Sequence, residues 1–338
     1  AWWCVFSHGD AVVEMPGLLF YALACMSVFA VSRQLQVGRR AAAWSMVVFA
    51  LTPVLALNAV SCKNDVAIAA LFLYLTALWC RPVPTAGAFK RWFLSGLIVV
   101  MGVGIKPTLV FILPGLLLVA RLGMRRSDFL PLRRLRGQGW LAALFLLACG
   151  LGGYWYFRNW IRFGHPLYPV SMTGDGLKPL SGVFSMAWGL ESLRQLFAFK
   201  IFDGQLGNPD VSDATGWGWF MFCCGGPAIA YGLWVSRKYR WLVAGFFVSF
   251  GSLLCWVIAD PWNMRYAAWL PALGAWGFFA VQRHLRPVAQ KMLVLLAVWT
   301  TALNGLGSAL PHGVKLDLRA PVSGRAWNPG FQRYLGEQ

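Results

Sequence analysis

Acidic side chains are scarce in this chain: there are 12 in 338 residues, against 30 lysines and arginines. Charged residues of both signs make up only 12% of the sequence, while 58% is hydrophobic. A soluble domain carries about 25% charge, so the shortage excludes that class. Cysteine pairing is missing as well. Cys4, Cys25, Cys62, Cys80, Cys149, Cys223, Cys224 and Cys255 show no CxxC spacing and fall mostly inside apolar runs. They read as small apolar side chains, with no support for a disulfide framework or a zinc site. His165 has no second histidine or carboxylate at ligand spacing, so it gives a metal centre little support. The acidic residues of the longest polar stretch, Asp175, Glu191, Asp203, Asp210 and Asp213, have no D-x-D or EF-hand order. No internal repeat relates the two halves. The net charge of +18 comes without a basic stripe carrying interleaved aromatics, so no nucleic-acid partner is expected.

What the chain does have is long apolar runs, several approaching the ~20 residues that cross a hydrocarbon core. Runs at about 12–32, 41–60, 65–80, 92–105, 107–121, 138–158, 214–235, 241–259, 264–284 and 290–310 predict an all-α fold. The expected form is a polytopic transmembrane helical bundle of about ten spans. Its transmembrane domain covers 1–310, with one long outward loop at 159–213 and an outward tail at 311–338. Basic residues fix the orientation. Arg33, Arg39 and Arg40; Arg81, Lys90 and Arg91; the six arginines from 121 to 136; Arg237, Lys238 and Arg240; and Arg283, Arg286 and Lys291 all fall on alternate connections. By the positive-inside bias that face is cytoplasmic. This parity requires residues 92–121 to be two short helices meeting at "GIKPTL", where Pro107 disfavours helix at Lys106.

Against that bias, Lys63, Lys106, Arg158, Arg162 and Arg265 lie at the outward ends of runs, in "CKNDV", "GIKPT", "YFRNWIRFGHPLYP" and "DPWNMRYAAWLP". Cations gathered at the outer membrane boundary point to a bound anion, and a lipid-borne phosphate resides at that depth. Plainer readings compete. Lys63 snorkels, Asn64 or Asp65 caps the 65–80 helix, Arg162 is an ordinary loop residue, and Arg158 and Arg265 pair with Asp65 or Asp260.

Taken in order, "VSRQLQVGRR", "ALTPVLAL", "KND", "GIKPTLVFILPGLLL", "RNWIRFGHPLYP" and "RYAAWLPALGAW" resemble the GT-C polytopic membrane glycosyltransferases. The likeness is to the protein-mannosyltransferase and aminoarabinose-transferase-like group and spans residues 10 to 285. The resemblance implies transfer of a sugar from a polyprenyl-phosphate donor to a lipid, glycan or protein acceptor. The reaction is expected on the outward face of the cytoplasmic membrane, with membrane lipid as the surroundings. The family's catalytic aspartate sits in its first outward loop, so the general base is expected upstream of residue 1. "AWWCVFSHGDAVVEMPGLL" then reads as the end of that loop, with Asp10 at its exit.

On this resemblance Lys63, Lys106, Arg158 and Arg265 meet the leaving phosphate, and Asn64 and Asp65 orient Lys63. Asn159, Tyr168 and Tyr266 support those cations or touch phosphate or sugar. The resemblance implies no definite cofactor, and a divalent cation is compatible with it. A polytopic transporter or lipid flippase handling an anionic substrate is the alternative class, and a noncatalytic scaffold the third.

Overall fold

The computed structural model describes residues 15–59, 64–81, 85–123, 139–164, 216–256, 265–282 and 284–309. Among them every regular element is helical. The helices are α1 (Met15–Gln34), α2 (Arg39–Ala50), α3 (Pro53–Ala59), α4 (Asp65–Cys80), α5 (Thr85–Ile105) and α6 (Leu109–Gly123). They continue with α7 (Gly139–Phe163), α8 (Gly218–Val235), α9 (Arg237–Trp256), α10 (Pro271–Gln282) and α11 (Pro287–Ala309). Within α8, Met221–Gly225 forms a π-helical turn.

Each apolar run coincides with a helix, except that 41–60 is the pair α2 and α3. Pro53 opens α3 and disfavours helix at Thr52, so the run breaks there. Three boundaries differ from the sequence reading; α10 starts at Pro271 instead of 264, after a 3₁₀ turn at 265–267. α5 starts at Thr85 instead of 92, and α7 continues through Phe163 instead of ending at 158. Arg158, Asn159 and Arg162 are therefore helical and not part of a loop. Lysine and arginine are good helix formers, so charge marks where an apolar run stops without ending the helix. Lys63, Tyr168, most of the expected 159–213 loop and the 311–338 tail lie outside the described residues.

α4 and α10 form the centre. Nearly every residue of α4 is buried, as are Pro271 to Phe278 of α10. A helix apolar on all sides belongs in the middle of a bundle. α4 packs against α1, α3, α5 and α6, while α10 packs against α1, α2, α8 and α9. The two halves meet at Phe72, whose ring lies 4.9 Å from Phe246 and 4.6 Å from Trp269. Glycines allow the tightest crossings. A Cβ on Gly115 would stand 1.8 Å from the Gly245 carbonyl oxygen, and one on Gly104 would stand 2.6 Å from Gly152 Cα.

Specific contacts fix the helix directions. Ser32 and Ser45 hydroxyls meet at 2.6 Å, making α1 and α2 antiparallel, and Gln34 Nε2 donates to the Ala77 carbonyl at 3.0 Å, making α1 and α4 parallel. Trp79 faces Trp92 at 4.7 Å while Asp65 meets Lys106, so α4 and α5 are antiparallel. Ser249 Oγ donates to the Ile112 carbonyl at 2.6 Å and Gly245 touches Gly115, so α6 and α9 are antiparallel. Gly152 lies against Val100 and Tyr156 Oη donates to the Val103 carbonyl at 2.9 Å, so α7 runs parallel to α5. Trp219 N–H donates to Asn304 Oδ1, bringing the end of α11 to the start of α8. One end of the molecule thus collects the first residues of α4, α6 and α8 and the last of α5, α7, α9 and α11; Arg265 meets Asp65 at that end, while α10 itself starts deeper, where the Leu273 carbonyl accepts from Tyr239 Oη near the start of α9.

The surface is apolar and the interior partly polar. Val288, Met292, Leu295 and Trp299 form an exposed stripe on α11, and Tyr154, Trp155, Phe157, Trp160 and Ile161 are exposed on α7. Inside lie Ser27, Ser32, Ser45, Asn58, Thr76, Ser249, Thr300 and Asn304. Among the described residues two helices, Met15–Gln34 and Gly218–Val235, are long and apolar enough to cross a membrane, and Asp65–Cys80 and Leu109–Ala120 are shorter apolar helices.

Candidate functional site

Asp65 is the only acidic side chain among the described residues, and it is buried at the first turn of α4. Its position suits a carboxylate, since the N-terminus of a helix carries partial positive charge. Lys106 Nζ donates to Asp65 Oδ1, and Arg265 Nε lies 2.9 Å from Oδ2. The three residues come from distant parts of the sequence. Lys106 occupies the break between α5 and α6, and Arg265 opens a short 3₁₀ turn, Arg265 to Ala267, ahead of α10. The side chain of Asp65 is 2% exposed, while those of Lys106 and Arg265 are 21% and 20% exposed. The carboxylate is thus sealed beneath two cations that still reach the surface.

Tyr266 completes the cluster. Its ring centroid lies 3.7 Å from Lys106 Nζ and 5.4 Å from the Arg265 guanidinium carbon. A cation over an aromatic face is held by the ring quadrupole, so Tyr266 steadies both. Asn64 makes no side-chain capping hydrogen bond to α4; its Nδ2 donates instead to the Ile105 carbonyl at 3.4 Å. The capping role expected for Asn64 is therefore replaced by a clasp between the start of α4 and the end of α5. Asp65 pairs with Lys106 and with Arg265, the second being the plain ion pair that the sequence offered for Arg265; Lys63, which Asn64 and Asp65 were expected to orient, lies outside the described residues.

Arg158 stands apart from the ion pairs. Its guanidinium carbon lies 5.0 Å from the centroid of Trp155 on its own helix. Because α7 runs parallel to α5, with Tyr156 level with Val103, Arg158 sits at the same end as Lys106. Asn159 follows on the same turn of α7 and Arg162 one turn later, exposed. Lys63 and Tyr168 fall outside the described residues.

Sequence reasoning passed over one group. Thr108 lies in the same break as Lys106, and its Oγ1 is buried with no hydrogen-bond partner among the described residues. An unpaired buried hydroxyl is costly, and a ligand oxygen at this turn would satisfy it. The signal for Thr108 is a hydroxyl residue directly after Pro107 in "GIKPTL", between two apolar runs. Among the described residues no group of three or more histidine, cysteine, aspartate or glutamate side chains converges to hold a metal.

The model of a family described as a domain of unknown function, DUF8201, matches residues 4–178, just over half of the chain. The chain belongs to this family. The matched region includes Asn64, Asp65, Lys106 and Arg158, while Arg265 and Tyr266 lie beyond it. No curated protein and no solved structure matches the chain.

Chemically, the cluster has the composition of an anion site with a built-in counter-ion. Lysine contributes a mobile ammonium with three donors and arginine a planar fork that fits phosphate oxygens. Among the described residues, the charges in direct contact are two cations and one carboxylate, and Arg158 lies at the same end of the molecule on α7.

Proposed function

We propose that this protein is a polytopic membrane glycosyltransferase of the GT-C type that takes its sugar from a polyprenyl-phosphate donor. The observation that carries the reading is the convergence of Lys106 and Arg265 on buried Asp65 at one end of the bundle. That is the end opposite Arg33, Arg39, Arg40, Arg81, Arg237 and Lys238. An arginine-rich end is held on the cytoplasmic side of a membrane, so the cluster faces outward, where a lipid phosphate lies. The exposed apolar stripes on α7 and α11, the buried hydroxyls and the glycine crossings support a bundle of about ten spans, because membrane helices pack through small residues and turn apolar faces to lipid.

The acceptor oxygen attacks the anomeric carbon, the carbon–oxygen bond to the phosphate breaks, and its electron pair stays on the phosphate oxygen. Lys106 and Arg265, with Arg158 from the side, stabilise that developing charge. The acceptor's proton passes to a carboxylate general base. Asp65 is not that base: both its oxygens are engaged and its side chain is closed to a substrate. Tyr266 holds the cations in place, and Lys63 and Tyr168 are further candidates for the phosphate or sugar.

Membranes containing the full-length protein should transfer a radiolabelled sugar from a polyprenyl phosphate to a lipid, glycan or protein acceptor. Lys106→Ala should reduce that transfer about 10²-fold or more, as loss of a transition-state donor does. Movement of the intact lipid or of a free anion across the bilayer, with no transfer, would instead favour a flippase or transporter.

A further inference from the structure

We infer that Thr108 is a phosphate-binding residue, its hydroxyl turning outward to donate to the same ligand as Lys106. The inference rests on the reading that this site holds a lipid phosphate, and it adds a contact that reading does not include. Thr108 follows Lys106 by two residues, with exposed Pro107 between them, in the break between α5 and α6. Its place in the backbone is that of a helix cap. It directly precedes Leu109, the first residue of α6, and its carbonyl accepts from the Phe111 N–H at 3.2 Å.

A threonine at such a position ordinarily uses its side-chain oxygen to accept from the second or third N–H of the helix. In α6 those are the N–H groups of Val110 and Phe111, and both are taken by backbone, by the Pro107 carbonyl at 3.1 Å and the Thr108 carbonyl. The backbone does the capping and leaves the hydroxyl idle. Oγ1 is buried with no hydrogen-bond partner among the described residues, an arrangement that costs stability and that valine, of the same shape, would avoid. The fold therefore gives no reason for a hydroxyl here.

The site beside it does. Thr108 as a residue is half-buried although its Oγ1 is sealed. One staggered step about the Cα–Cβ bond exchanges hydroxyl and methyl, which carries the hydroxyl to the face that the residue shows at the Lys106 turn. There the O–H donates to a phosphate oxygen. A hydroxyl is neutral, so this contact adds direction to the site and no charge. A hydrogen bond to a charged group is among the stronger ones.

The test uses the full-length protein in nanodiscs of zwitterionic lipid, with polyprenyl phosphate carrying no sugar as the probe. Thr108→Val should bind it about tenfold more weakly or worse, the scale of one hydrogen bond to a charged oxygen. The same variant should unfold, without ligand, at a temperature no lower than the native protein. Thr108→Ser keeps the hydroxyl and should keep the affinity. Inorganic phosphate at the same concentration should not bind; binding as tight as the lipid's would assign the contact to a free phosphate ion and overturn the lipid assignment.

Native affinity in Thr108→Val overturns the inference, and so does an equal loss in the valine and serine variants. A valine variant that fails to fold also overturns it, because the hydroxyl then serves the structure. A loss seen only with polyprenyl glucosyl phosphate, and not with the sugarless lipid, puts the hydroxyl on the sugar and overturns the phosphate contact. The broader reading fails separately, if Lys106→Gln leaves the affinity for polyprenyl phosphate where it was.

Discussion

At the scale of single residues, the cluster around Asp65 has an asymmetry that mutation should expose. Removing Lys106 or Arg265 leaves the carboxylate with one remaining cation. Removing Asp65 leaves two cations side by side with no counter-charge among the described residues. Breaking a buried pair costs about 3–5 kcal/mol when the surviving charge is uncompensated. Asp65→Ala should therefore lower the thermal unfolding temperature of the purified protein more than Lys106→Ala or Arg265→Ala does. Equal losses in all three variants would mean the carboxylate is not shared. Tyr266→Leu should keep the fold yet weaken donor binding several-fold, since a cation–π contact is worth about 0.5–2 kcal/mol, and Tyr266→Phe should behave as the native protein if the ring alone matters. The sequence showed that Lys106 is out of place, because a lysine before a proline between two apolar runs has few structural uses. It could not show which partner Asp65 takes. Arg265, 200 residues further along the chain, is brought to Asp65 by the packing of α4 against α6 and of α10 against α9, which no local pattern encodes.

Among the helices, the crossings are set by glycine, and this gives a matched pair of substitutions. Gly115→Ala puts a methyl group 1.8 Å from the Gly245 carbonyl oxygen, a backbone atom that cannot rotate away. The α6–α9 pair must separate, which should cost about 1–3 kcal/mol as overpacking does. Gly150→Ala on α7 meets nothing within 4 Å and should be neutral or stabilising by up to ~1 kcal/mol, the helix preference of alanine over glycine. Unfolding of the two variants in the same detergent compares them directly. If both lose stability alike, the close approach of α6 and α9 is wrong. Helix positions were legible because apolar runs and their breaks are local features. Pro107 marked the turn between α5 and α6, and Pro53 accounts for the gap between α2 and α3. Two of the boundaries that moved, at Thr85 and Phe163, lie where basic residues interrupt the apolar pattern without interrupting the helix. At Arg91 the reason is visible: its guanidinium stacks 4.7 Å from the centroid of Trp79 and donates to the Arg81 carbonyl at 3.1 Å, so the charge is accommodated inside the packing of α4 and α5.

For the molecule as a whole, the alternation of helices separates two chemically different ends. One carries Arg33, Arg39, Arg40, Arg81, Arg237, Lys238 and Arg286; the other carries Asp65 with Lys106, Arg158 and Arg265. If the bundle spans a membrane as proposed, a cysteine placed at Gln36 in a cysteine-free background should react with an impermeant thiol reagent only after the inner face is exposed. A cysteine at Pro107 should react from outside in intact cells. Labelling of both from one side would remove the ten-span arrangement and the outward site with it. The central claim is narrower: a lipid phosphate sits between Lys106 and Arg265 above the Asp65 carboxylate. A structure of the full-length protein in a nanodisc with a bound polyprenyl phosphate measures this most directly. The account predicts phosphate oxygens within hydrogen-bonding distance of Lys106 Nζ and the Arg265 guanidinium, with Asp65 still paired beneath them. Phosphate held elsewhere on the protein, with Lys106 and Arg265 unchanged and untouched, would contradict it.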